Sequence, residues 1–234
     1  MNPDAVGRAV RELLRALGED PDRPELAETP RRVTESFAEL LSGSGVDVSG
    51  LLKALPGEGI ADGEAIVVSR LSFRSMCEHH LLPFRGTAHL VYAPDQQVAG
   101  FGSFARVLDV LAARLQVQER LTGQFADAVE SGLDARGVLV VVEATHGCLS
   151  DRGALQADAR AITMASRGVY RDAGPRGEAL RLIPMNDLDH VPAHRWITDA
   201  AGPTAIGGVL AGGGRHASES TPRSPKTRVR ATRR

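Results

Sequence analysis

Only two cysteines, Cys77 and Cys148, occur in the 234 residues, too few for the disulfide-dense scaffolds of small secreted domains. No eighteen apolar residues run uninterrupted, and the opening MNPDAVGRAVRELLRALG carries no apolar block of the signal-peptide kind. Neither a membrane span nor export is expected, so the expected location is cytoplasmic. In that reducing compartment the two cysteines read as buried thiols, metal ligands or a nucleophile. The body of the chain has no internal repeat, and its 42% hydrophobic fraction is enough for a real buried core.

Net charge is nearly absent at −1, but it is unevenly spread. From Pro203 onward seven basic residues stand against the single acid Glu219, giving +6 there and −7 over residues 1–202. The basic tail, RHASESTPRSPKTRVRATRR, has no aromatic residue for base stacking and no folded motif, so nucleic acid is not an expected partner. Its Gly, Ser, Pro and Arg content predicts disorder.

Periodicity supplies the elements. Val6, Val10, Leu13, Leu14 and Leu17 predict a helix from Pro3, and TPRRVTESFAELL predicts a second with Thr29 as N-cap and Pro30 at its first position. Residues 42–63 read as a loop-rich linker. EAIVVSRLSF, GTAHLVYAP and QVAGF predict short antiparallel strands. Phe104, Val107, Leu108, Leu111 and Leu115 then form a helical stripe, and Leu121, Phe125 and Val129 another, with a break near Gln118. Strands resume with GVLVVVEATH and ALQADARAITMASRGVY. The expected class is α+β, with helices packed on one face of an antiparallel sheet. The divisions are 1–62, helical region and linker; 63–186, the main domain; and 187–234, a largely disordered extension.

Each cysteine lies within three residues of a histidine. Cys77 and His80 have C-x-x-H spacing, and Cys148 follows His146 by two residues at the end of a predicted strand. Two thiolates and an imidazole suit zinc, and three protein ligands leave a fourth position for water. The competing reading makes both cysteines small buried hydrophobes and the histidines ordinary core or surface groups. His79 and His146 remain beside the cluster, where an imidazole can move protons.

CEHHLLPFRGTAHLVYAP, followed by LQVQERLTGQFADAV and ATHGC, resembles GTP cyclohydrolase I over approximately residues 2–183. The resemblance implies the tunnelling fold, in which sheets from five subunits close a barrel and two rings stack as a homodecamer with sites between subunits. It implies zinc on Cys77, His80 and Cys148, and hydrolysis of GTP to 7,8-dihydroneopterin triphosphate and formate, the entry to folate or other pterins. His146 matches the residue that protonates the purine imidazole ring, and His79 a second proton-transfer group. Gln118 and Glu119 match residues that hold guanine; a carboxylate accepting from N1–H and the 2-amino group fits guanine and not adenine. Arg32, Arg106 and Arg152 match phosphate contacts.

The pattern also departs from the family. Where relatives read GLSKLAR this chain reads GFGSFAR, placing Gly102 at an expected serine and Ser103 at an expected phosphate-binding lysine. After Arg152 only Arg160 stands where relatives carry more basic residues, and Asp151 sits beside Arg152. Three readings follow: a GTP cyclohydrolase I; a paralogue acting on a guanine compound with fewer phosphates or stopping before ring closure; and a non-catalytic zinc-bearing protein of the same fold.

Overall fold

Ten residues, GVLVVVEATH, form a strand from Gly137 to His146 whose first eight side chains are all buried. A run of β-branched residues without alternation requires cover on both faces, and the computed structural model of the chain shows both. The structure describes residues 1–57 and 64–184. The expectations for the extension 187–234, including its disorder and its basic tail, lie outside the described residues, as does part of the linker.

In chain order the elements are α1 (Pro3–Ala16), α2 (Thr29–Leu40), β1 (Ala54–Pro56), β2 (Ile66–Cys77), β3 (Pro83–Ala93), β4 (Gln97–Ala99), α3 (Phe101–Ala112), β5 (Leu115–Gln116), α4 (Gln118–Leu133), β6 (Gly137–His146), a single turn α5 (Gly147–Ser150), β7 (Ala161–Gly168) and α6 (Ala173–Arg181). A five-stranded sheet has the order β5-β2-β3-β6-β7, and β1 pairs with β4 in a separate two-stranded sheet. The β2, β3, β6 and β7 neighbours are antiparallel, as expected, while β5 joins β2 in parallel through Met76–Leu115 and Cys77–Gln116.

Phe104, Val107, Leu108 and Leu111 of α3, with Leu121, Phe125 and Val129 of α4, pack on Phe84, Ala88, Leu90 and Tyr92 of β3 and Val138, Val140 and Val142 of β6. These are the residues whose helical spacing predicted the two helices. The other sheet face is apolar at one end, where Val91, Leu139 and Val141 meet Tyr170, Ala179 and Ile183. Toward the opposite end it turns polar, with buried His89 and Glu143. Helices therefore cover the central strands on one face and α6, which the sequence did not announce, covers part of the other.

Several local expectations need correction. Thr29 is the first helical residue, preceded by Glu28, and no side chain caps the helix. The linker contains β1, whose exposed residues give no alternation to read. The helical break falls at residues 113–117, so Gln118 opens α4. The last predicted strand shortens to Ala161–Gly168, because 151–160 form turns. Cys148 lies in α5, not on the strand itself.

Close backbone approach sets the registry near the site. A Cβ on Gly86 would lie 1.8 Å from the Glu143 carbonyl oxygen, so glycine is required for β3 to pair with β6 through Gly86–Ala144 and Phe84–His146. The free edges matter as well. Among the described residues β7 has no outer neighbour, and β5 covers only the Cys77 end of β2.

Candidate metal centre and active site

Cys77 ends β2, and the chain then turns through EHHLL before β3 begins. The turn is closed by Cys77 N–H to Leu82 O at 2.9 Å and Leu81 N–H to Cys77 O at 2.9 Å. Leu81 has φ 52°, a left-handed conformation costly for a γ-branched residue and accepted where the surroundings impose it. This turn presents His80 toward α5, where Cys148 sits. The ligand atoms of Cys77, His80 and Cys148 all lie within 4.8 Å of one another. A tetrahedral shell with zinc–sulfur and zinc–nitrogen bonds of ordinary length holds its ligands about 3.5–3.8 Å apart, so the three fit one ion after small side-chain rotations. Cys77 is buried, Cys148 half-buried and His80 exposed, so the donor set has one open side.

His146 ends β6 and its ring stacks on Phe84, with centroids 4.8 Å apart and planes parallel. Its Nε2 lies 2.7 Å from Gln118 Oε1. The Gln118 amide nitrogen donates to Val142 O (3.0 Å), Ala161 O (3.0 Å) and Thr163 Oγ1 (3.1 Å). Carbonyl oxygens only accept, so they orient the amide with Oε1 toward the imidazole. Oε1 is an acceptor, which requires His146 Nε2 to carry a hydrogen and leaves Nδ1 as the position that gains or loses a proton. Burial pushes the His146 pKa down, opposed by the negative charge of Glu119.

Gln118 thus has both polar atoms of its side chain turned into the protein and is 2% exposed. In the single chain the side-chain oxygen holds His146. Glu119, in the first turn of α4, is exposed. The neighbouring Arg120 forks onto Glu78 at 2.6 and 2.9 Å. That pair, and the Thr122–Thr163 contact at 2.7 Å that helps seat Gln118, were not singled out in the sequence. QVQER reads there as one motif without showing which side chain turns inward.

Arg32 on α2, Arg106 on α3 and Arg152 beyond α5 are exposed. Among the described residues their side chains, like that of Ser103, make no hydrogen bond, although the charge of Arg32 acts on nearby Glu28. Ser103 lies in the first turn of α3, beside Gly102, whose added Cβ would meet nothing within 4 Å. Arg160 pairs with buried Glu143 at 3.3 Å, so it does not stand free to replace the missing lysine. His79 is exposed, its ring 6.3 Å from that of His80.

A two-cysteine, one-histidine donor set open on one side, with an oriented imidazole beside it on an antiparallel α+β scaffold, has the make-up of a metal-dependent active site. The sequence comparisons narrow the class: the profile of the family described as GTP cyclohydrolase I matches residues 6–184, and the chain belongs to that family, with its α+β tunnelling fold. It is 49% identical over 179 residues to a GTP cyclohydrolase 1 from Leifsonia xyli subsp. xyli, covering 76% of this chain and 93% of that one. The GTP cyclohydrolase 1 of Rhodopirellula baltica is 47% identical over 185 residues (76% and 77% covered), and that of Bacillus subtilis 41% over 189 residues (80% and 98%). Among solved structures, an apo archaeosine synthase QueF-Like covers 46% of this chain and 97% of its own at TM-score 0.39 and 15% identity; the family assignment rests on the sequence matches.

Proposed function

We propose that this protein is a zinc-dependent GTP cyclohydrolase I, opening the guanine imidazole ring of GTP to give 7,8-dihydroneopterin triphosphate and formate, the first step of tetrahydrofolate and pterin biosynthesis. The observation that carries the reading is the convergence of Cys77, His80 and Cys148 beside an imidazole whose tautomer is set by Gln118. Cys77, His80 and Cys148 would hold the ion; when bound, zinc supplies Lewis acidity and an activated water at neutral pH.

The chain's own groups do the rest. His146 keeps one hydrogen on Nε2 for Gln118 and offers Nδ1 as the atom that delivers a proton to the purine ring. Stacking on Phe84 holds the imidazole plane while that proton moves. Exposed Glu119 accepts from guanine N1–H and the 2-amino group, and its charge also favours the protonated form of His146. His79, on the ligand turn, is the second proton-transfer group. Arg32, Arg106 and Arg152 supply guanidinium forks for the triphosphate, with Ser103 lending a hydroxyl in place of a cation.

The sheet edges support an assembly of several copies. Open β7 and β2 edges are pairing templates, and ring closure removes them; Ile162 and Met164 on β7 are large apolar side chains left exposed. The family resemblance implies a homodecamer of two pentamers with sites between subunits, in which both edges would be paired. Two free cysteines suit a cytoplasmic enzyme. No helix among the described residues is long and apolar enough to cross a membrane.

The test is to follow formate and pterin fluorescence with GTP, GDP, GMP and guanosine as substrates. GTP is expected to release formate and yield the fluorescent product. Ser103 lacks the charge that would bind a phosphate most strongly, so the preference for GTP over GMP is expected to be small, the loss of one charge-assisted bond amounting to roughly 10-fold to 150-fold in affinity. Formate from GMP but not from GTP would favour the paralogue reading, and no formate from any of them the non-catalytic one.

A further inference from the structure

The ligand turn is tied to α4 by more than its ends. Glu78 lies between Cys77 and the two histidines, and its carboxylate receives Arg120 Nη1 at 2.6 Å on Oε2 and Nη2 at 2.9 Å on Oε1. Two parallel N–H···O bonds between planar groups fix orientation as well as distance. The partners stand 42 residues apart in sequence, so the contact joins two separate segments. Glu78 N–H also donates to Gln116 O at 3.0 Å, continuing the parallel pairing of Cys77 with Gln116.

That second segment carries the rest of the site. Gln118, which orients His146, and Glu119 immediately precede Arg120 in the first turn of α4. The side chains of His79 and His80, by contrast, make no hydrogen bond among the described residues, so the direction of His80 comes from the backbone of a turn that contains a left-handed leucine. Such a turn needs an external tether. An ion pair as exposed as this one, with side chains 45% and 30% accessible, adds little stability of its own, so what the fork contributes is geometry.

We propose that Glu78 and Arg120 form a positioning pair that locks the metal-ligand turn to the start of α4, coupling the placement of His80 to that of Glu119 and Gln118. The proposal rests on the metal-dependent reading given above and goes beyond it, since neither residue belongs to the donor set of Cys77, His80 and Cys148. Breaking the fork lets the turn drift relative to Cys148, and the metal site widens.

The test uses the full-length zinc-loaded protein with E78Q, R120Q, the double variant and R120K, whose ammonium keeps the charge but cannot form the fork. Zinc affinity is read by competition with a chromophoric chelator, and the site's symmetry by the visible spectrum of the cobalt-substituted protein. Each single glutamine variant is expected to bind zinc about 10-fold more weakly, as for other groups that orient metal ligands. The double variant is expected to be no weaker than the worse single, since either change breaks the same contact. R120K falls between wild type and R120Q, and the melting temperature stays close to that of the wild type. Unchanged zinc affinity and cobalt spectrum in both single variants, or fully additive losses in the double, would overturn the proposal. Wild-type protein that shows this zinc pattern yet releases no formate from GTP removes the assigned activity and leaves the positioning pair intact; formate release with zinc affinities indifferent to E78Q and R120Q does the reverse.

Discussion

Gln118 and Glu119 are adjacent in sequence and opposite in exposure. Gln118 is buried with three acceptors around its amide nitrogen and His146 on its oxygen, whereas Glu119 is exposed at the helix start. Their truncations are therefore expected to differ in kind. Gln118→Ala leaves His146 free to rotate and change tautomer, so kcat for GTP falls by roughly 10-fold to 100-fold with little change in KM. Glu119→Ala removes the guanine acceptor and acts chiefly on KM and on the discrimination of GTP from ATP. Steady-state kinetics on the two variants checks this; a purely KM effect of Gln118→Ala would return that residue to the substrate. CEHH and HGC made two donor clusters legible in the sequence, and family resemblance joined Cys77, His80 and Cys148 into one set, whose ligand atoms the fold does bring together. The inward turn of Gln118 was not legible, because it depends on carbonyls of Val142 and Ala161 that belong to distant strands.

At the scale of elements, the long periodic segments were readable and the short ones were not. The stripe Phe104, Val107, Leu108 and Leu111 reports a helix face buried on the sheet, and that face is where α3 packs. Strand β1 and helix α6 escape notice since three exposed residues have no period and AGPRGEALR has almost no apolar face. The polar end of the second sheet face has a consequence for stability. His89 on β3 is 3% exposed, and its Nδ1 has no hydrogen-bond partner. Burial, with the positive charge of Arg70 from β2, pushes its pKa below the ordinary value, while Glu143 lies diagonally across on β6, on the same face. With the folded pKa depressed, the unfolded chain binds more protons once the pH falls below the ordinary histidine range near 6.5, so stability rises with pH there. His89 is thus expected to contribute to a loss of stability on acidification from about pH 7 to pH 5. Urea unfolding across that range should show a shallower pH dependence for H89L than for the wild type; identical slopes would mean the imidazole titrates freely in the folded chain.

For the whole molecule, the described residues leave the β7 edge and much of the β2 edge without a neighbouring strand, and the proposed ring would cover both. The assembled protein is expected to be near ten times 24.8 kDa by light scattering, and a monomer at working concentration would contradict both the ring and an interfacial site. That part was carried by family resemblance alone, since no side chain of one chain reveals how many copies close a barrel. The most direct measurement of the central claim counts zinc and formate in the same preparation, in the wild type and in Cys148→Ala. The expected result is one zinc per chain, formate release from GTP that stops on chelation and returns with added zinc, and loss of both tight zinc and formate in Cys148→Ala. Undiminished formate release from metal-free protein, or stoichiometric, equally tight zinc in Cys148→Ala, would contradict it.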